Sequence, residues 1–468
     1  MVDIVGTLVA VSPFVIAVAL LVVLRWPAVW AGIAALVAAL AGAWVWPTLE
    51  SAGLADSLLD GAGTSAKVLY VLFGGLLLYN LLSAGGAVEA VSRYLGRLEP
   101  EKEALAAGIV VGVAPFFESV TGFGVAVVIS APILLAARFS PIKAAVLASW
   151  GQCAVPWGAL GVGTVIGADL AGMGFRDLST ASAYLNLPLY PVYGVAAVAL
   201  AGGTAGVKRH GAEAILLGLA AGSGTLLTSL YLAPELSGAV GGLSATAVFM
   251  ARRRRRVNGV PVRALLPYGF LLALLALSSG VAGISNSLAR LGPVFAGPGL
   301  PLLLAAGFTA ALFGIGTLDG GGAVRGTFKQ WLPTAGAVLT FVLAGEVVSG
   351  SGAAALLASG AESFGSLYPA VSPVLGALGG ALTGSNAASN ALFMPLQVEA
   401  ARGVGVSGEI TAAIQNVAGS HASLLAPQRI VLAATAVGLL GREGEILRYA
   451  IAPVAVSVLV LAVIGLLW

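Results

Sequence analysis

Two short polar runs interrupt otherwise apolar stretches of this chain, and they hold the residues best suited to chemistry. The first reads Pro115-Phe116-Phe117-Glu118-Ser119-Val120-Thr121-Gly122-Phe123-Gly124. An ionisable side chain in the middle of an apolar span costs about 2.5–3.5 kcal/mol to insert in a membrane, and so has a functional reason or a partner. Burial favours the neutral form of a carboxyl, which suits Glu118 to the uptake and release of a proton. The same carboxyl could instead cap the amides of a half-helix that follows. Ser119 and Thr121 add hydroxyls, and Gly122 and Gly124 let the backbone approach a ligand closely. The second run reads Thr383-Gly384-Ser385-Asn386-Ala387-Ala388-Ser389-Asn390. Amides at a half-helix N-terminus, flanked by Thr383, Gly384, Ser385, Asn386, Ser389 and Asn390, would seat a carboxylate, or a cation held by carbonyls. Helix–helix hydrogen bonding is the other use of such residues.

Two further stretches carry polar groups next to prolines. Gln152 precedes Pro156, and Gln415, Asn416, Ser420 and His421 precede Pro427-Gln428-Arg429. A guanidinium can clamp a carboxylate with two parallel hydrogen bonds, so Arg429 is a candidate substrate anchor; snorkelling or pairing with an acid is the alternative. Gln428 lies beside it, and Gln152 and Asn416 are further candidate binding residues. His421 could titrate near neutrality or simply be hydrogen-bonded at a helix break. Asp169 and Glu346 read as interfacial. Asp319 lies in a glycine loop, 316–322, without the Lys-Ser/Thr of a phosphate-binding loop.

The elements that must position these residues follow from composition. The chain has 468 residues, 59% apolar and only 9% charged, where a soluble domain is about 25% charged; its mean hydropathy is +1.00. That excludes a water-soluble enzyme and points to an all-α polytopic membrane protein. Continuous apolar runs such as Leu8 to Leu24 do not alternate as barrel strands do, and that first run reads as a retained span. The 65 glycines are about twice the average share, as helices that pack closely or break inside a membrane require. One cysteine, Cys153, forbids an intrachain disulfide, and two histidines, His210 and His421, make a protein-built metal or haem site improbable, so no cofactor is expected. The net charge of +3 gathers in loops and marks no nucleic-acid partner.

Full crossings are expected near 8–24, 27–47, 66–84, 186–206, 212–232, 234–251, 264–283, 299–316, 331–349 and 448–467. The stretches 103–138 (breaking at Pro115 to Gly124) and 371–402 (breaking at Gly379 to Asn390) read as re-entrant hairpins. Those at 141–171 and 407–440 read as broken but complete crossings, giving about twelve crossings in all. If the loop with Arg252 to Arg256 is cytoplasmic, 18 of the 23 basic residues fall on that side, as the positive-inside rule asks, and both termini lie outside. A lipid- or nucleic-acid-binding role for the five arginines is the alternative. The hairpins then enter from opposite faces. Thr121-Gly122 and Thr383-Gly384 are 262 residues apart, and Ala136-Ala137-Arg138 and Ala400-Ala401-Arg402 are 264 apart. These matches divide the chain into a first repeat half at 1–251, a basic cytoplasmic loop at 252–263 and a second half at 264–468. Inverted repeats of this kind belong to secondary transporters, whose site lies where half-helix tips meet.

At these tips the chain resembles the L-lactate permease family. The matching pieces are Glu118 with Gly122-Phe123-Gly124, Gly158-Ala159-Leu160-Gly161, Gly384-Ser385 with Ser389-Asn390-Ala391-Leu392-Phe393, and Pro427-Gln428 with Ala436-Val437-Gly438-Leu439. The resemblance implies a plasma-membrane symporter of small 2-hydroxymonocarboxylates such as lactate or glycolate with protons, whose hydroxyl Gln152 or Asn416 would recognise. It also implies a transport domain that moves like an elevator past a scaffold, and so a homodimer. Two departures stand out. Asn386 occupies a place where the family has Asp, and uncharged Ser423 and Leu424 stand near the place of a family Lys, a charge that Arg429 could replace. Ser385-Asn386 also looks like the pairs of sodium-coupled carboxylate transporters, which keeps sodium as the rival coupling ion. An anion channel could use the same tips. A membrane enzyme would need a nucleophile with its base or a metal cluster.

Overall fold

Lipid offers no partner for backbone N–H and C=O groups, so a chain this apolar must satisfy them within its own segments. The computed structural model does so with helices alone. Among the residues it describes (4–45, 53–98, 101–122, 124–153, 155–253, 259–280, 284, 287–288, 290 and 297–467), every regular element is helical. Phe123, Glu50 and Arg254 to Arg256 of the expected basic loop lie outside the described residues.

Six of these helices are long and apolar enough to cross a bilayer: Ala28–Val45, Leu54–Ala84, Lys102–Thr121, Leu189–Tyr231, Asp319–Gly350 and Glu443–Leu467. The run Leu189–Tyr231 folds back on itself at Gly203, whose φ of 63° reverses the chain. Its two arms touch where Gly194 meets the Ala214 carbonyl, Gly218 meets Pro191 and Gly222 meets Leu187. Those arms are the apolar stretches expected at 186–206 and 212–232. One expectation fails: the glycines at 316–322 form the cap and first turns of Thr317–Gly350 rather than a loop. The packing of that long helix overrides a glycine penalty of about 1 kcal/mol per residue.

The two interrupted hairpin stretches break over fewer residues than their sequences suggest. In the first, Ile109–Val113 forms a π turn just before Pro115, a place where the N–H that proline lacks is not needed. Helix then continues to Thr121, and Val125–Ala136 follows. Lys102 Nζ donates to the Arg138 carbonyl at 2.6 Å, so the two arms close at their open end. In the second, Tyr368–Thr383 and Asn386–Gly403 are joined through Gly384 and Ser385 alone. The break is short because the Ser385 hydroxyl accepts from Ala388 N at 3.3 Å and starts the next helix at once. The first broken stretch runs Pro141–Trp150, then Val162–Ala171; the second runs Gly408–Ala422, then Pro427–Ala436. The helix Glu443–Leu467 ties the halves together. Its Ala450 carbonyl accepts from Trp150 Nε1, and its Gly465 packs on Pro369 at the mouth of the second hairpin, about 22 Å further along.

A separate wall is built by Ala28–Val45, Leu54–Ala84 and Thr317–Gly350, where Gly32 faces Thr340 and Gly61 faces Glu346. Glycines also mark where the wall meets the hairpins: Gly75 lies on the Thr121 carbonyl and Gly345 on the Ala391 carbonyl. Asp169 accepts from Thr64 of the wall at 2.5 Å.

A Cβ at position 218 would lie 2.4 Å from Pro191 N, whereas one at position 269 meets nothing within 4 Å. Overpacking of this kind costs about 1–3 kcal/mol. Gly218→Ala should therefore lower the melting temperature of the purified protein and Gly269→Ala should not, as differential scanning fluorimetry will read.

Candidate substrate-binding site

The two tips are built alike. Thr121 Oγ1 donates to the Phe117 carbonyl at 2.6 Å, and Thr383 Oγ1 to the Gly379 carbonyl at 2.8 Å. Each helix then ends on a left-handed glycine, Gly122 at φ 66° and Gly384 at φ 65°, whose amide donates back four residues at 2.8 Å. Each glycine abuts its own half's broken stretch: a Cβ would lie 2.9 Å from that of Ala159 in one case and 2.2 Å from Gln428 Nε2 in the other. Gln428 Nε2 also donates to the Thr383 carbonyl at 2.6 Å. Only glycine meets both the backbone and the space requirement at these points.

Arg429 joins the two tips. Its Nε donates to the Gly384 carbonyl at 3.1 Å, and its Nη1 donates to Gln152 Oε1 at 2.7 Å and to Glu118 Oε1 at 3.5 Å. Nη2 forms no hydrogen bond among the described residues. Of the alternatives read from sequence for Arg429, the structure shows pairing with an acid, with one edge of the guanidinium unused. Of the two readings for Glu118, the structure shows the cap. Its Oε1 accepts from Gly124 N at 3.4 Å, capping the second arm, whereas the buried Oε2 has no partner. Gln152 Nε2 is the other unpartnered polar atom beside the guanidinium.

A turn that the polar residues did not announce holds the first tip. Ala159 and Leu160 take left-handed φ angles of 43° and 59° and precede Gly161 at 85°. Such a conformation costs about 1–3 kcal/mol for each residue that is not glycine. Their amides repay part of it, donating to the Glu118 carbonyl at 3.1 Å and the Ser119 carbonyl at 2.6 Å. The one legible signal was the pair of flanking glycines in Gly158-Ala159-Leu160-Gly161.

Behind the second tip lies a buried amide network. Asn416 Oδ1 accepts from Asn386 Nδ2 at 2.8 Å and Asn390 Nδ2 at 2.9 Å, and its own Nδ2 donates to Thr164 Oγ1 at 3.0 Å and Ser182 Oγ at 2.8 Å. Gln415 Nε2 donates to Ser389 Oγ at 3.1 Å, and Gln397 Nε2 to Gln415 Oε1 at 3.0 Å. The partners Thr164, Ser182 and Gln397 were not singled out in the sequence, because isolated polar residues on different helices show their grouping only once folded. His421 holds the first break, with Nε2 3.1 Å from the Cys153 carbonyl and Nδ1 3.1 Å from Ser457 Oγ.

A cavity of about 430 Å³ opens between the tips and the wall. Its polar side presents Glu118, Thr383, Ser385, Asn386, Gln428 and Arg429, with Gly122 and Gly384 at the turns. The opposite side is apolar, with Pro27, Val29, Leu72, Pro333, Ala337 and Phe341. The first turn of Asn386–Gly403 borders the space through Ser385 to Ala388; the Ser385 and Ala388 amides are taken by Thr383 Oγ1 and Ser385 Oγ, which leaves those of Asn386 and Ala387 to favour an anion. Gln152 and Gly124 touch Arg429 from behind. Ser119, Thr121, Ser389, Asn390 and Asn416 do not reach the cavity: all are fully buried and bonded to backbone or to the amide network.

A family model described as L-lactate permease matches residues 6–259 and 262–468. The chain belongs to the L-lactate permease family. It is a multi-pass membrane transporter and so takes a small organic acid as its substrate, among membrane lipids. Within the family it is similar to an L-lactate permease of Streptococcus iniae, 25% identical over 373 residues covering 73% of this chain and 79% of that one. It is equally similar to the glycolate permease GlcA of Escherichia coli strain K12, 25% identical over 477 residues covering 86% of this chain and 84% of that one. Among solved structures, the YdaH transporter of Alcanivorax borkumensis aligns with a TM-score of 0.49 at 16% identity, over 89% of this chain and 87% of that one.

Removing one partner of a buried ion pair strands the other and costs roughly 3–5 kcal/mol. Arg429→Gln should accordingly lower the melting temperature of the permease, and adding Glu118→Gln should restore much of it. Additive losses in that double-mutant cycle would show that the two side chains are not coupled.

Proposed function

We propose that this permease carries small 2-hydroxymonocarboxylates such as L-lactate or glycolate across the plasma membrane together with protons. The observation that supports it is the position of Arg429, bonded at once to Glu118, Gln152 and the second tip, with its Nη2 edge unused beside the cavity. The substrate carboxylate takes that edge and the first-turn amides of Asn386 and Ala387. Gln152 holds the guanidinium from behind, outside the cavity lining, and is not the partner of the 2-hydroxyl. Asn416 is not available for that role, because both ends of its amide are already bonded.

Charge links the proton to the substrate. Ionised Glu118 competes with a carboxylate for the same guanidinium; protonated, it frees Arg429 and leaves Oε2 as a hydrogen-bond donor. Proton and anion therefore enter together, and the loaded site has the charge of the empty one. We place the hairpins and broken stretches in an elevator-like moving unit against the wall, with about twelve crossings, both termini outside and a homodimeric assembly. A sodium-coupled reading draws on Asn386 Oδ1, a buried oxygen without a donor at the second tip.

Uptake of labelled lactate by proteoliposomes tests these readings. An inward proton gradient should drive it in the wild type, and Glu118→Gln should abolish that drive while exchange of internal for external lactate persists. Arg429→Gln should weaken lactate binding about 10- to 100-fold, the usual worth of hydrogen bonds to a charged group. Uptake that follows a sodium gradient and ignores pH would replace the proton assignment.

A further inference from the structure

The cavity is larger and more apolar than lactate needs. Lactate has six non-hydrogen atoms, and at roughly 30 Å³ of liquid per water-sized atom it occupies less than about 180 Å³. The cavity measures about 430 Å³. The wall's part of the lining, apart from Thr334, is aliphatic, prolyl or aromatic, including Leu72, Pro333, Ala337, Val338 and Phe341. Among the described residues, Arg429 is the one basic side chain in the lining, so a second carboxylate would have no cation to meet. An occupant that fits has one anionic end for Arg429 and the tip amides, and an apolar end for the wall.

We propose that the site takes 2-hydroxymonocarboxylates with alkyl chains longer than the methyl of lactate, of four to six carbons in all, and holds them more tightly than lactate. The proposal rests on the transporter reading above and adds the role of the wall. Each methylene moved from water onto the wall strengthens binding about fourfold until the space is filled.

The test uses the full chain in proteoliposomes, with straight-chain 2-hydroxy acids of two to six carbons competing against labelled lactate. Inhibition constants should fall about fourfold per added carbon from glycolate to the five-carbon acid. Constants that rise from lactate onward would overturn the proposal. Thermal shift of the detergent-purified chain with the same acids separates the two readings. Stabilisation that grows with chain length, without lactate uptake, upholds the site and rejects transport; lactate uptake with no dependence on chain length does the reverse. Ala337→Phe and, independently, Val338→Phe fill the apolar end. Each should lower the ratio of five-carbon to three-carbon affinity at least tenfold, and an unchanged ratio in both would overturn the assignment of the wall.

Discussion

A guanidinium held in a membrane protein must be surrounded by acceptors, because a low-dielectric setting leaves no water to solvate it. Arg429 meets that demand with a backbone carbonyl from the second tip, an amide oxygen from the first broken stretch and a carboxylate from the first tip. Two of those acceptors come from the first half of the chain and one from the second. The demand of one side chain thus fixes how closely the two tips approach, and with it the shape of the space between them.

The glycines and strained residues around the tips serve the same approach. Gly122 and Gly384 turn each helix with no Cβ between it and the neighbouring stretch, and the left-handed Ala159 and Leu160 bring two amides onto the first tip's carbonyls. Rigid turns suit a site that must present donors to a small anion, since misplacement by even an ångström loses much of a hydrogen bond's value. The wall is different in kind. Its contacts with the tips are made largely through small residues such as Gly75 and Gly345, and its face toward the cavity is apolar.

Much of this was legible in the sequence for one physical reason: in an apolar chain, polar residues are conspicuous. Glu118, Thr383, Ser385, Asn386, Gln428 and Arg429 stood out, and all of them border the cavity. Grouping was harder to read than presence. Asn416, Ser389 and Asn390 are as polar as the lining residues, but they point into a buried network whose other members, Thr164 and Ser182, lie on distant helices. Helix breaks were overestimated, since Pro115 follows a π turn and Ser385 caps the next helix at once. The apolar wall left no signal at all, because Ala337 and Phe341 look like every other lipid-compatible residue until the fold sets them opposite Arg429.

The central claim is that a substrate carboxylate binds between the tips on Arg429. A structure of the permease determined with lactate bound tests it most directly. Lactate density within hydrogen-bonding distance of Arg429 Nη2 and of the backbone amides of Asn386 and Ala387 is the predicted result. Lactate seated elsewhere, with Arg429 still joined to Glu118 and Gln152 and the space between the tips empty, would contradict it.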